Sequence, residues 1–279
     1  MELSSPAKIN LWLRILGRRD DGFHEVETRL CQIGIADTVR IEQVSSVPGI
    51  ALTCNVPGIP VDESNLAIKA LRAFENKVGK TAGWRIHLEK RIPSGAGLGG
   101  GSSNAAAILR GANELTGSPL NLAELLEIAG HIGADVPCFL LHTTAADGTG
   151  RGEKVVPVEF SWKLPLVLIK PSFPIPTPWA YQRWRDSQEL PGVLYAPQIC
   201  PWGEMVNSLE RPVFEKHRFL PALKTWLLEQ KGVRAALMSG SGSTMFAITE
   251  SGADAGEVAE KAKAWCGDTA WVQPTETLR

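Results

Sequence analysis

The segment 93–107 reads PSGAGLGGGSSNAAA and contains five glycines within seven residues. Glycine adopts positive φ without steric cost and leaves the backbone N–H groups unshielded. A predicted helix begins near Ser102, and the N-terminus of a helix directs free N–H groups and the positive end of its dipole toward the preceding loop. The segment is therefore predicted to bind anions, with nucleotide phosphates as the first candidates.

The spacing of these glycines does not by itself identify the ligand. Gly95, Gly97 and Gly100 match G-x-G-x-x-G, which dinucleotide-binding folds, protein kinases and ordinary turns share. A dinucleotide site needs a second parallel strand after the helix, whereas the breaker 116–119 (TGSP) and another predicted helix follow here. A Walker loop needs a lysine where Gly101 stands, and the H-R-D and D-F-G signatures of protein kinases are absent. Phosphoryl chemistry would thus need another scaffold, and a flexible connector is the alternative.

Charge and cysteine content exclude several classes of protein. The 279 residues include 29 basic and 30 acidic side chains without a basic block, so no nucleic-acid or membrane surface is expected. The five cysteines are odd in number and lack C-x-x-C spacing, which favours reduced thiols over disulfides or zinc. The sequence also has no apolar run typical of a signal peptide or a membrane span. We expect a cytoplasmic monomer or weak homodimer whose partner is a small molecule.

Hydrophobic periodicity predicts the elements that position the candidate residues. Apolar and polar residues alternate over 7–15, which predicts a half-buried strand with Lys8 and Asn10 side by side on one face. A helix over 64–78 would be capped by Ser64, and Asn121 with Glu124 resembles a capping box. The other predicted strands are 24–33, 37–44, 84–89, 154–160 and 164–170, and the later helices are 178–186, 219–230 and 254–265.

The pattern of elements changes near residue 155, after the glycine-rich segment 148–153. We therefore predict two domains, an ATP-binding domain over 1–155 and a substrate-binding domain over 156–279. Strands and helices are mixed without regular β-α alternation, which favours an α+β fold over a doubly wound sheet.

Three separated motifs resemble those of the kinase superfamily that includes galactokinase, homoserine kinase, mevalonate kinase and phosphomevalonate kinase. They occur in the family's order: 6–8 (PAK) on the first strand, the glycine loop 93–107, and the glycine-rich turn 238–244. Shorter segments resemble the branch whose acceptor is a cytidine diphosphate-linked methylerythritol of the non-mevalonate isoprenoid pathway. These segments are 7–11 (AKINL), 21–24 (DGFH), 133–137 (GADVP), 176–178 (PTP) and 207–210 (NSLE).

The resemblance covers essentially the whole chain and implies both a fold and a reaction. The fold would pair an N-terminal domain similar to ribosomal protein S5 domain 2 with a C-terminal ferredoxin-like domain, with the active site in the cleft between them. The reaction would transfer the γ-phosphoryl group of ATP to a tertiary 2-hydroxyl. No dedicated metal site is expected, and Mg²⁺ would arrive with ATP. The alternatives are a sibling kinase acting on mevalonate, homoserine or a sugar, and a nucleotide-binding sensor without catalysis.

By this resemblance the catalytic pair is Lys8 and Asp135, although a strand lysine and a helix-capping aspartate are individually ordinary structural residues. Asp135 would either accept the hydroxyl proton late in the transfer or mainly orient the hydroxyl. Lys8 would stabilise negative charge on the attacking and transferring oxygens. Asn10, which shares its strand face, would bond to erythritol or phosphate oxygens.

The remaining roles implied by the resemblance divide between nucleotide and acceptor. Phe23, in place of a more common tyrosine, and Tyr181 would sandwich the cytosine, and His24 would bond to its edge. Thr177 and Asp147 are weaker candidates, and either Ser102 or Ser103 would offer a hydroxyl to phosphate or Mg²⁺. The turn 240–243 would donate N–H groups to phosphate, with a tight hairpin turn as the alternative. The predicted ATP-binding residues are Pro93, Ser94, Gly95, Ala96, Gly97, Leu98, Gly99, Gly100, Gly101, Ser102 and Ser103.

Overall fold

The computed structural model describes residues 1–45 and 48–279, which form two β-sheets with helices packed on them. In chain order the elements are β1 (Glu2–Arg18), β2 (His24–Ser45), β3 (Gly49–Cys54), α1 (Leu66–Val78), β4 (Gly83–Glu89), α2 (Gly100–Leu115), α3 (Leu122–Ile132), a 3₁₀ helix (Pro137–Leu140), β5 (Ala145–Thr149), β6 (Lys154–Pro157), β7 (Pro165–Pro171), α4 (Thr177–Trp184), β8 (Gln198–Cys200), β9 (Gly203–Asn207), α5 (Glu210–Lys216), α6 (Phe219–Leu228), β10 (Val233–Met238), β11 (Met245–Thr249), α7 (Gly252–Cys266), a second 3₁₀ helix (Gly267–Thr269) and β12 (Ala270–Glu276). Within the described chain, no helix combines the length and the apolar character needed to cross a membrane.

The first sheet carries the strand with Lys8. Its strand order is β3-β4-β2-β1-β9-β8, and β5 and β6 continue from β2. The strand β2 is continuous, although the sequence predicted two runs, because its register against β1 shifts between Pro6 and Ala7 and the extra residues form a bulge. Helices α1, α2 and α3 cover one face through a buried core that includes Phe74, Trp84 and Leu109.

The second sheet has the antiparallel order β10-β11-β7-β12. A β-α-β-β-α-β succession with this strand order is the ferredoxin-like arrangement, which confirms the predicted α+β fold class. Two strands from the C-terminal half, β8 and β9, instead extend the first sheet, where β9 runs parallel to β1. The division at residue 155 stays a prediction.

A third core joins the two sheets and determines how β1 is buried. Ile9 and Leu11 of β1 pack with Leu168 of β7 and Phe246 of β11 in this core. The opposite face of β1 was predicted to be exposed, yet Lys8 is only 3% and Asn10 only 2% exposed. The glycine loop covers that face, since Lys8 Nζ donates to the carbonyl of Gly97 at 2.9 Å and a Cβ atom on Gly99 would lie 2.9 Å from the Lys8 side chain. The strand is therefore buried on both faces.

The cap of α1 and the start of α2 differ from the sequence prediction. Asn65, not Ser64, caps α1: the Asn65 side chain accepts the Ala67 N–H at 2.9 Å, while Ser64 donates to Asp62. The capping box of Asn121 and Glu124 at the start of α3 is confirmed. The helix α2 begins at Gly100, which is earlier than the predicted start near Ser102. The glycine loop therefore runs directly into the first turn of α2.

Candidate active site

A cleft of about 890 Å³ runs between the glycine loop, the turn 240–242 and the helix α4. Its walls bring together most of the residues that the sequence singled out, from distant parts of the chain. Those in the walls are the ten residues from Pro93 to Ser102, together with Lys8, Phe23, His24, Asp135, Thr177 and Tyr181.

The shape of the glycine loop is set by close contact with two distant segments. Gly97 has a φ of +74°, and a Cβ atom there would overlap the carbonyl oxygen of Ser239 and lie 3.0 Å from that of Gly242. A Cβ atom at Gly99 would lie 2.9 Å from the Lys8 side chain. Only glycine at these two positions lets the loop fit between β1 and the turn 239–242.

Lys8 joins three parts of the cleft. Its Nζ donates to Asn10 Oδ1 at 2.7 Å and to the Gly97 carbonyl at 2.9 Å, and it lies 3.3 Å from Asp135 Oδ2. Lys8 is almost fully buried, whereas the Asp135 side chain is 33% exposed and lines the cleft. A desolvated ammonium interacts more strongly with nearby charge than one in water. Lys8 can therefore stabilise negative charge that develops close to Asp135, whose carboxylate a ligand in the cleft can reach.

The structure distinguishes candidate residues that line the cleft from candidates that do not. Ser102 lines the cleft, whereas Ser103 is buried and its hydroxyl accepts a hydrogen bond from Ser5 Oγ at 2.8 Å. Asn10 lies behind Lys8, outside the residues that line the cleft, and donates to Thr28 Oγ1 at 2.8 Å. Asp147 also lies outside these walls, in a bidentate pair with Arg29 at 2.7 and 2.8 Å. Asn10 is thus placed to hold Lys8, and its contact with substrate stays a prediction.

Sequence reasoning missed a buried polar network beneath the glycine loop. Asp37, which is 1% exposed, accepts the backbone N–H groups of Arg91 at 2.7 Å and Ile92 at 2.9 Å. Its other oxygen pairs with Lys90 Nζ and accepts from Asn104 Nδ2 at 3.0 Å. The network ties the start of the loop to the first turn of α2. Its sequence signal is that Asp37 falls in phase with the inward-facing Val39, where a charge requires partners.

Aromatic and basic side chains form another part of the cleft wall. Phe23 is 53% exposed, and the guanidinium carbon of Arg151, which the sequence did not single out, lies 5.0 Å from its ring centroid. The rings of His24 and Tyr181 are 5.5 Å apart. Burial, followed by the charge of Asp135, raises the pKa of Tyr181, so its hydroxyl stays protonated. Burial and the nearby Arg18 lower the pKa of His24.

Thr177 connects this wall to the C-terminal turn. Its hydroxyl is 2.7 Å from that of Ser241, and Ser241 also lines the cleft. Among residues 1–45 and 48–279, no group of three or more His, Cys, Asp or Glu side chains is arranged to hold a metal ion.

Family profiles and relatives agree on what this chain resembles. The profile described as GHMP kinases N terminal domain matches residues 65–143, and the GHMP kinases C terminal profile matches 197–268. The chain is 40% identical to the 4-diphosphocytidyl-2-C-methyl-D-erythritol kinase of Methylacidiphilum infernorum (isolate V4), covering 98% of this chain and 96% of the relative. It is 42% identical to the chloroplastic 4-diphosphocytidyl-2-C-methyl-D-erythritol kinase of Arabidopsis thaliana, covering 89% and 67%.

Solved structures agree with these relatives. A crystal structure of 4-(cytidine 5'-diphospho)-2C-methyl-D-erythritol kinase superimposes with a TM-score of 0.80 at 35% identity over 100% of both chains. A crystal structure of L. major mevalonate kinase gives a TM-score of 0.66 at 16% identity over 99% of this chain and 95% of the other, which shows the shared fold alone. The chain therefore belongs to the 4-diphosphocytidyl-2-C-methyl-D-erythritol kinase family of the GHMP kinases.

Proposed function

We propose that this protein transfers the γ-phosphoryl group of ATP to the 2-hydroxyl of 4-diphosphocytidyl-2-C-methyl-D-erythritol, giving ADP and the 2-phosphate. The observation that carries the proposal is the position of Lys8, whose Nζ is 2.9 Å from the Gly97 carbonyl and 3.3 Å from Asp135 Oδ2. One cation thereby links the phosphate-binding loop to a carboxylate. A kinase needs this proximity, because its two substrates must meet in line for transfer.

The glycine loop and the first turn of α2 would bind the ATP phosphates. The first N–H groups of a helix have no partner within the helix, and they interact favourably with negative charge together with the helix dipole. The network around Asp37 supports this arrangement by fixing the backbone at Arg91 and Ile92. The phosphates would thus meet donors that are already oriented before binding.

Asp135 and Lys8 would act at the acceptor hydroxyl. In the transfer, the hydroxyl oxygen forms a bond to the γ-phosphorus while the bond from that phosphorus to the leaving oxygen of ADP breaks. A free aspartate is a weak base toward an alcohol, so Asp135 would accept the proton late, as the new bond makes it acidic, or would orient the hydroxyl. Lys8 would stabilise the charge that develops on the oxygens in either case.

The oxygen atoms available at the cleft fit Mg²⁺ that arrives with ATP. Ser102 and Asp135 both line the cleft, and Mg²⁺ prefers oxygen ligands supplied by phosphates, waters and few protein groups. When bound, Mg²⁺ neutralises charge on the phosphate oxygens. Ser102, rather than Ser103, would offer its hydroxyl to this ion or to a phosphate.

The aromatic wall would recognise the cytosine of the acceptor. Phe23 and Tyr181 supply ring faces for stacking, which suits a base better than it suits mevalonate, homoserine or a sugar. The lowered pKa of His24 keeps its imidazole neutral near pH 7, so one ring nitrogen donates and the other accepts a hydrogen bond. We expect the enzyme to work in the cytoplasm as a monomer or weak homodimer, without nucleic acid.

The acceptor assignment is tested by ADP release from ATP and Mg²⁺. With the cytidylyl erythritol acceptor, we expect ADP and the 2-phosphate in equal amounts, as measured by a coupled assay and phosphorus NMR. Mevalonate, homoserine and galactose serve as controls and should stimulate ADP release negligibly, because none of them has a base to stack on the aromatic wall. Stimulation by one of these three, without stimulation by the cytidylyl acceptor, would contradict the assignment.

Asp135→Asn tests the role of the carboxylate. We expect kcat to fall by about 10²–10⁴-fold, which is the usual contribution of a general acid or base, while calorimetry finds nearly unchanged ATP binding. Asp268→Asn removes the same charge at an exposed position and should leave kcat unchanged. Wild-type turnover by Asp135→Asn would eliminate Asp135 as a catalytic residue.

Tyr181→Ala tests the stacking wall. We expect the KM of the acceptor to rise by about tenfold or more, from the loss of about 1–3 kcal/mol of stacking on the base. The KM of ATP should change little. Tyr195→Ala is the matched control, because Tyr195 packs instead on Phe214, with ring centroids 5.9 Å apart. Equal increases in both KM values for Tyr181→Ala would argue against stacking at this position.

A further inference from the structure

The segment 207–210 (NSLE) contributes no residue to the walls of the cleft, and the proposed reaction gives it no role. Asn207 is the last residue of β9, lies opposite Leu13 of β1 and is 4% exposed. Its Nδ2 donates to the carbonyl of Met238 at 2.7 Å and to that of Gly240 at 2.8 Å. Its Oδ1 accepts the Leu209 N–H at 2.9 Å. Both N–H bonds of the amide are therefore used to hold the chain around Met238.

Glu210 holds the same residue from the other side. Its Oε1 accepts the backbone N–H of Met238 at 2.9 Å, and its Oε2 pairs with Lys224 Nζ at 2.6 Å. Burial raises the pKa of Glu210, and the adjacent Lys224 opposes that rise. The N–H of Met238 is thus bound by Glu210 and its carbonyl by Asn207. These two contacts restrict the conformation of the backbone that follows Met238.

That chain is the turn 239–242, which reaches three functional parts of the cleft. Ser239 Oγ donates to the Gly97 carbonyl at 2.9 Å, which is the oxygen that Lys8 also contacts. Ser241 Oγ contacts the Thr177 hydroxyl at 2.7 Å. Gly240 lies so close to Lys8 that a Cβ atom on it would be 3.2 Å from Nζ. A shift of this turn would therefore move the surroundings of the catalytic lysine and of the phosphate loop together.

We propose that Asn207 is a positioning residue for phosphoryl transfer: its two N–H donors fix the turn 239–242 against Gly97 and Lys8. The inference rests on the proposed function, because its effect is read in the rate of that reaction. Misplacement of reacting groups by about 1 Å can lower a rate by about 10²-fold. Asn207 therefore controls turnover without touching either substrate.

Asn207→Asp tests this with a side chain of the same shape. It keeps the acceptor for Leu209 but places an oxygen where Nδ2 donates to two carbonyls at 2.7 and 2.8 Å. We expect kcat to fall by about 10–100-fold as the turn is displaced, a larger change than in the KM of ATP, which should also rise because the same turn packs against Gly97. Ser208→Ala is the matched control, since Ser208 Oγ accepts the Ile15 N–H at 3.2 Å and does not hold the turn, so its kcat should stay within about twofold of wild type.

A purely structural role would lower the melting temperature without changing kcat per folded molecule, so turnover is measured well below the melting transition. Ser239→Ala removes the hydroxyl on Gly97 while keeping Asn207, and we expect kcat to fall by about 3–10-fold. The double variant should be no slower than Asn207→Asp alone, because both changes act through one turn. If Asn207→Asp does not fold, the kcat of Ser239→Ala is the test of whether the position of this turn controls turnover.

The outcomes separate this inference from the proposed function. Turnover by Asn207→Asp within about twofold of wild type would overturn the positioning role, and so would multiplicative losses in the double variant. If Asn207→Asp does not fold, wild-type kcat in Ser239→Ala would overturn it. Failure of the wild type to phosphorylate the cytidylyl acceptor would instead contradict the proposed function.

Discussion

The cleft depends on the close approach of two turns, at a place where no side chain fits. Gly97 packs so tightly against the backbone of Ser239 and Gly242 that an added methyl group would overlap the Ser239 carbonyl oxygen and lie only 3.0 Å from that of Gly242. The carbonyl of Gly97 then accepts hydrogen bonds from Lys8 Nζ and Ser239 Oγ. The carbonyl oxygen of Gly97 thus links β1, the glycine loop and the ferredoxin-like half. Packing between distant segments therefore requires glycine at this position.

Burial around this contact sets the electrostatics of the site. Lys8 is 3% exposed, so its charge interacts through protein rather than through water, and Asp135 remains open to the cleft beside it. Beneath the loop, Asp37 gathers two backbone N–H groups, Lys90 and Asn104. Such a buried carboxylate is stable only when fully paired, and the pairing holds the loop in one conformation. The rigidity of the loop and the buried charge of Lys8 beside the cleft therefore both depend on buried polar groups whose hydrogen bonds are satisfied.

The sequence predicted what depends on local patterns. Alternation placed Lys8 and Asn10 together, and the structure confirms their contact at 2.7 Å. It could not show that Asn10 lies behind Lys8, because that depends on how the distant glycine loop packs on the strand. Nor could it show that Ser102 rather than Ser103 lines the cleft, because one residue of helical rotation decides which serine is buried. Contacts between distant residues were also out of reach. Asp37 binds a backbone group 55 residues away, and no local pattern encodes that partner.

We infer that the packing of Gly97 against the turn 239–242 builds the nucleotide half of the proposed active site. It is tested most directly by calorimetric titration of Gly97→Ala with a non-hydrolysable ATP analogue. Gly117→Ala is the control, because its φ is also positive, at +83°, yet nothing lies within 4 Å of the added methyl group. We predict at least a tenfold weaker affinity for folded Gly97→Ala and wild-type affinity for Gly117→Ala. Wild-type affinity in Gly97→Ala would contradict this role for Gly97.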